Sequence, residues 1–177
     1  MSANKIIKKL ELKLLLRFSS QKKKTALYRK HFGVKIGKNV RFTGTPKWGS
    51  EPYLITIGDH VTITQDVVFH THDGGVGLFR KEYPGINIFG RITIGNHVFI
   101  GSHTIILPGV SIGDNVVIGA GSVVSRDIPS NSVAVGVPAK VLKSIDEYKS
   151  SVLAKAVYVH ETDPLKRKNE ILSKFNK

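Results

Sequence analysis

The chain has 177 residues, 41% hydrophobic and 23% charged, which allows one core with appendages rather than two full domains. It has no cysteine, so disulfides and thiol catalysis are excluded, and no apolar run reaches the roughly 20 residues of a membrane span. Its net charge of +14 is uneven, since ten of the 27 basic residues lie in the first thirty positions and Glu11 is the sole acid before Glu51. A basic arm of this kind suits an anionic partner, although basic and aromatic residues are not interleaved as single-stranded nucleic acid requires.

That arm, residues 1–33, is rich in helix formers, and its spacing predicts helices over 3–18 and 21–32, the second stopped by Gly33. It is too highly charged for a secretory signal, so a cytoplasmic location is expected. Leu12, Leu14, Leu15 and Leu16 make the first helix apolar nearly all round. Packing within an oligomer is one reading; association with the inner membrane surface through Lys5, Lys8, Lys9, Lys13 and Arg17 is another.

Residues 34–143 are organised by a six-residue period. Ile94-Gly95, Ile100-Gly101, Ile106, Ile112-Gly113, Ile118-Gly119 and Val124 share one register. Ile57-Gly58, Ile63 and Phe69 form an earlier run, and Ile36-Gly37 an isolated turn. In most units a small or apolar residue follows four places on, at Val61, Val67, Val98, Thr104, Val110, Val116 and Ser122. The pattern predicts a triangular parallel coil, one short strand and one corner per hexapeptide, about 18 residues per turn. The handedness does not follow from the period.

The two runs do not join directly. Taking Ile88 as the unit after Phe69 leaves 13 extra residues, which places a protruding loop at about Gly75 to Asn87. A loop of that length leaving a regular solenoid is usually functional. On this count His103 stacks one coil above His72 on one corner, and Asp66 pairs with His97 on another. Trp48 and Tyr53, near Glu51, read equally as a sugar-stacking wall or as packing under the first coil, and Phe79 and Tyr83 sit on the loop. Beyond the coil, Gly136-Val137-Pro138 makes a turn. Ser144 to Glu147 opens a helix as a capping box, and Asp163-Pro164 opens another, giving a helical extension over 144–177.

The segment from Arg91 to Ile145, RITIGNHVFIGSHTIILPGVSIGDNVVIGAGSVVSRDIPSNSVAVGVPAKVLKSI, closely resembles the hexapeptide-repeat acyltransferases. The likeness is to their galactoside and maltose O-acetyltransferase branch and to capsule or exopolysaccharide O-acetyltransferases. SEPYLITIG from Ser50 and FHTHDGG from Phe69 look most like the polysaccharide-modifying members. The resemblance implies a left-handed parallel β-helix with short flanking helices, a homotrimer with sites between neighbouring coils, and transfer of acetyl from acetyl-CoA to a hydroxyl of a sugar or polysaccharide precursor. His72, just before the loop, matches the catalytic base, and Glu51 matches acids that contact the acceptor or orient the imidazole. His103 is a second candidate for acid–base work or for binding the thioester carbonyl. The donor positions carried over are Ser102, Ala120, Ser125, Arg126, Lys140 and Lys143; no metal is implied.

An N-acetyltransferase acting on an amino sugar or sugar nucleotide, or an antibiotic acetyltransferase, would use the same donor and base. A hydratase like the γ-type carbonic anhydrases would need zinc on three histidines, drawn from His72, His97 and His103, yet His97 and His103 fall on different corners by the six-residue count. A non-enzymatic scaffold would leave a histidine before a long loop without a purpose.

Overall fold

The computed structural model describes residues 11, 12 and 14–175, so most of the predicted first helix, including Lys5, Lys8, Lys9 and Lys13, lies outside the described residues. Residues 11, 12 and 14–18 are helical (α1). Helix α2 (Gln21–Phe32) begins at Ser20, whose hydroxyl caps Lys23, and ends at Gly33 in the left-handed region, where a side chain would be strained.

From there the chain winds into a solenoid of strands laid on three faces, two or three residues long until the last two. The first face orders β1 (Lys35–Ile36), β3 (Ile55–Ile57), β8 (Ile92–Ile94) and β11 (Ser111–Ile112). The second has β2 (Arg41–Phe42), β4 (Thr62–Ile63), β9 (Phe99–Ile100), β12 (Val117–Ile118) and β14 (Ser132–Gly136), closed by antiparallel β15 (Ala139–Ser144). The third has β5 (Val68–Phe69), β10 (Ile105–Ile106) and β13 (Val123–Val124). Neighbouring coils pair in parallel, with Ile63 against Ile100 and Ile100 against Ile118.

The period follows from this geometry. Each strand turns at least one apolar residue inward, and Ile57, Ile63, Phe69, Ile94, Ile100, Ile106, Ile112, Ile118 and Val124 are at most 2% exposed. The residues four places on are buried at the corners. Where these are Thr104 and Ser122, the hydroxyls donate 2.7 Å hydrogen bonds to the carbonyls of Gly101 and Gly119, so small polar groups are buried without loss. Asn39, His60, Asp66, His97, His103, Asn115 and Asn131 turn corners with positive φ, which Asn, Asp and His tolerate better than most residues.

The first coil is filled with aromatics. Trp48, in register six residues after Phe42, is 4% exposed and stacks on Phe69 at 5.1 Å between centroids. Tyr28 of α2 meets Phe42 and Trp48 edge-on at 4.8 and 5.1 Å, and Leu16 of α1 joins the same core. Of the two readings of Trp48, the structure selects packing: its ring is enclosed and not available to a sugar.

The register also corrects the length of the interruption. Phe69 pairs with Ile106, 37 positions on, so one 18-residue coil leaves an excess of 19 rather than 13. Ile88 is not a core unit but is 49% exposed on β7 (Ile88–Phe89), which pairs antiparallel with β6 (His72–Asp73) in a hairpin outside the solenoid. In consequence His103 stacks on the corner of Gln65 and Asp66, not of His72, with its N–H donating to the Gln65 carbonyl at 2.9 Å. His97 stacks on His60, rings 4.7 Å apart and 4° from parallel, and not on Asp66.

A second compact unit runs from Asp146 onward. Helix α3 (Ile145–Leu153) starts directly after Ser144. Helix α4 (Pro164–Ser173) is capped by Asp163, which accepts from the N–H groups of Leu165 and Lys166. Glu170 accepts from the N–H groups of His160 and Glu161, bonds that hold its carboxyl below the usual range.

Because the stacked aliphatic column is the core, Ile100→Ala should lower the unfolding free energy by about 3 kcal/mol. Thr56→Ala, on the outward side of β3, should cost less than about 1 kcal/mol. Urea unfolding at unchanged m-value measures both.

Candidate active site

The inserted hairpin leaves the third face after β5 and returns before β8, and the Gly90 N–H closes it by donating to the Thr71 carbonyl at 2.9 Å. His72 is therefore the first residue of the hairpin proper, held at its foot and not at its tip. Its ring lies edge-on to Phe89 across the hairpin, at 6.5 Å between centroids. Asp73 accepts from the Gly75 N–H and starts a 3-10 turn over Gly74–Phe79. Beyond it Leu78, Phe79 and Tyr83 are exposed.

Glu51 comes to this point from the bend before β3. Gly49 makes the approach possible: its φ is +70°, and a Cβ there would lie 2.8 Å from the Phe69 carbonyl oxygen. Glu51 Oε2 sits 2.9 Å from His72 Nδ1 and accepts a second hydrogen bond, also 2.9 Å, from the fully buried hydroxyl of Thr71. Partial burial works against ionisation of Glu51. The hydrogen bonds from His72 and Thr71 and attraction to a charged imidazole outweigh it, and hold the carboxyl below its usual range.

An ionised carboxylate has no proton to give, so Nδ1 carries the hydrogen and Nε2 of a neutral His72 is left with its lone pair. The side chain is 37% exposed, so the ring is open to a substrate. This is an oriented base whose tautomer is set by a carboxylate. Thr71, which the sequence reading did not single out, completes the arrangement. Its signal was a threonine one residue before the candidate base, at a position that the hexapeptide register leaves unassigned.

The other candidates divide between two edges of the third face. Ser102, His103 and Ala120 lie on the edge where the chain enters it; the Gly121 N–H donates to the Ser102 carbonyl, and Ser102 Oγ donates to Thr64 Oγ1 at 3.1 Å. Gly136 continues this column, its N–H donating to Ser122 Oγ, and Lys140 on β15 pairs with Val135 beside it. Lys143 lies further along the same strand, opposite Val133. Ser125 and Arg126 follow β13 on the opposite, exit edge, stacked beyond Leu107 and His70 and thus on the side of His72. About five residues of chain, at most about 16 Å when extended, separate the two edges. One chain thus brings Glu51, Thr71 and His72 together but holds Ser102, His103 and Ala120 away from them. Tyr53 is 62% exposed and remains accessible. His72, His97 and His103 sit on three different corners, and among the described residues no group of three or more His, Asp or Glu side chains is placed to hold a metal ion.

A three-faced parallel solenoid with an oriented histidine at the foot of an inserted hairpin is the form of a transferase built from hexapeptide repeats. Residues 91–126 match the family model described as bacterial transferase hexapeptide (six repeats). The chain is 51% identical to Protein CapG of Staphylococcus aureus over 171 residues, 96% of each chain. A galactoside acetyltransferase solved in complex with coenzyme A is 34% identical, with 91% of this chain and 90% of that one covered and a TM-score of 0.57. A maltose O-acetyltransferase from Clostridium difficile 630 is 33% identical, covering 76% of this chain and 82% of that one, with a TM-score of 0.57. The chain belongs to the hexapeptide-repeat acyltransferases, and its solenoid is their left-handed β-helix with flanking helices.

The histidine–carboxylate contact has a direct signature. In nitrogen-15 spectra of histidine-labelled protein near neutral pH, His72 should show a protonated Nδ1 with a downfield proton. Glu51→Gln should shift that proton upfield and mix the tautomers.

Proposed function

We propose that the protein is an acetyl-CoA-dependent O-acetyltransferase acting on a hydroxyl of a sugar or polysaccharide precursor, with His72 as general base. The observation that carries this is the 2.9 Å contact from Glu51 to His72 Nδ1, which leaves Nε2 as a proton acceptor at an open position. Membership of the acyltransferases supplies the donor, and the relatives named as galactoside acetyltransferase and maltose O-acetyltransferase support a carbohydrate acceptor.

A sugar hydroxyl is a weak nucleophile at neutral pH, so its proton must leave as the oxygen attacks. His72 Nε2 takes that proton while the oxygen bonds to the thioester carbonyl carbon. The resulting imidazolium is stabilised by ionised Glu51, itself pinned by Thr71. When the carbon–sulfur bond breaks, His72 returns the proton to the departing thiolate, giving the ester and free thiol. No covalent enzyme intermediate is needed, which suits a chain without cysteine. His72 can do this only if Glu51 stays ionised, so the depressed carboxyl keeps the base oriented as pH falls below neutrality.

The residues present fit the donor. Ser102, Ala120 and Gly136 form a column of small residues along the entry edge, where an extended pantetheine can approach the backbone. Lys140 beside it and Lys143 further along β15 supply cations for phosphate groups. Ser125 and Arg126 belong to the other edge. Because His72 and this column lie on opposite edges of one face, the reading requires a second copy of the chain to bring its entry edge to His72. A homotrimer does so three times over. His103 would then line the donor side of the cleft, opposite His72.

His72→Ala should lower acetyl-CoA turnover at least about a thousandfold while sedimentation and thermal unfolding stay as in the wild type. Near-normal activity would remove His72 as the base. Assaying sugars, sugar nucleotides and amines side by side separates O- from N-acetylation.

The shared site has its own test. His72→Ala and Ala120→Trp proteins should each be inactive, yet unfolding and reassembling them together in equal amounts should restore about a quarter of wild-type activity. Three in four random trimers are mixed, and each mixed ring holds one intact site in three. No recovery would place the site within one chain.

A further inference from the structure

Helix α1 is apolar on two sides. Leu16 is 6% exposed within the core, and Leu12 packs against it, so one side fastens the helix to the first coil. On the outward side Leu14 is 63%, Leu15 47% and Phe18 78% exposed. With Glu11, Ser19 and Lys23 these three line an open cavity of about 440 Å³. A helix that only closed the end of a solenoid toward water would carry polar residues there. Around this face lie Arg17, whose guanidinium carbon is 5.9 Å from the Phe18 ring centroid, and the exposed Lys23, next to the exposed Lys22 in the chain. The first thirty residues carry ten basic side chains and one acid, a net +9.

Charge selects the occupant. A second copy would set this basic face against a chain of net charge +14, whichever of its surfaces it presented. A nucleic-acid backbone would meet the charge but leave Leu14, Leu15 and Phe18 in water. An anionic bilayer satisfies both requirements, taking the three apolar side chains into its interface while its headgroups meet the surrounding lysines and arginines. Among the described residues no helix is long and apolar enough to cross a membrane, so the helix lies along the surface. We propose that the outward face of α1, with the basic residues around it, docks the protein on an anionic membrane surface. Through Leu16 and Arg17, α1 also borders a cavity of about 680 Å³ that reaches Gln65 and Asp66 on the entry edge. The proposal does not depend on the chemistry of acyl transfer.

Flotation of the full-length protein with vesicles tests it, comparing phosphatidylcholine alone with phosphatidylcholine containing about 30% phosphatidylglycerol. The expected result is binding to the anionic vesicles, weakened at least about fivefold between roughly 0.05 and 0.3 M salt. Leu14→Ser with Phe18→Ser, and separately Lys22→Glu with Lys23→Glu, should each reduce binding about tenfold, with thermal unfolding and turnover of a soluble acceptor unchanged. If the serine variant does not fold, Phe18→Trp provides a second readout, since its emission should shift to the blue on anionic vesicles. Wild-type protein that ignores anionic vesicles overturns the proposal, and so does a serine variant that binds them as well as wild type. Loss of oligomer in the serine variant without vesicle binding by the wild type would assign the face to a second copy. Binding of an RNA homopolymer in place of vesicles would assign it to nucleic acid.

Discussion

Each coil of this solenoid closes around side chains that only the next coil can shield from water. A two-residue strand has almost no stability of its own, and its peptide groups find partners only in the strands of adjacent coils. The inward column Ile63, Ile100, Ile118 and Ala134 and the parallel hydrogen bonds beside it are thus one cooperative interaction. The column narrows from aromatic to aliphatic to alanine along its length. Phe42, Trp48 and Phe69 fill the first coils, and α1 and α2 cover that end with Leu16 and Tyr28. Burial pushes the Tyr28 phenol up to about 12, so it stays neutral within the apolar end.

The same stacking makes a precise site out of an insertion. A segment that leaves one coil and rejoins the next must bring its ends within one strand spacing of each other, about 4.8 Å. Thr71 and Gly90 meet under that requirement and fix His72 immediately beyond them. Glu51 reaches the same place because the first-face strand that follows it is locked into register with its neighbours. The buried Thr71 hydroxyl then holds the carboxylate from the core side. The hairpin tip, with Leu78, Phe79 and Tyr83 exposed, takes no part in that closure.

The triangular cross-section has a further consequence. Corners made by the same chain point away from one another, so groups needed in one reaction can be placed on separate edges and joined only by association. Ser102 and Ala120 share an edge with the Lys140 side of β15, whereas His72 and Arg126 lie across the third face. Under the function proposed above, a neighbouring copy would have to bring the entry edge to His72.

Position in the hexapeptide frame was legible from the amino-acid order alone, because an inward residue must recur wherever a strand does. It defined the faces, the buried column and the corners, and it contained the cue that Trp48 is core, six residues after Phe42. His72, Glu51, Ser102 and Ala120 were singled out by the resemblance of residues 50–58, 69–75 and 91–145 to the acyltransferases, not by the period. What the order could not settle was how many residues the interruption removes from the frame. Ile88 resembles a core residue, but its exposure depends on the pairing of β7 with β6, a long-range choice with no periodic signature. That choice moved His103 from the corner of His72 to that of Asp66, and His97 from Asp66 to His60. The contact from Glu51 to His72 likewise joins residues 21 positions apart through Thr71 and Gly49. It exists only because folding brings two bends of the chain to one place, which is a property of tertiary packing and not of local pattern.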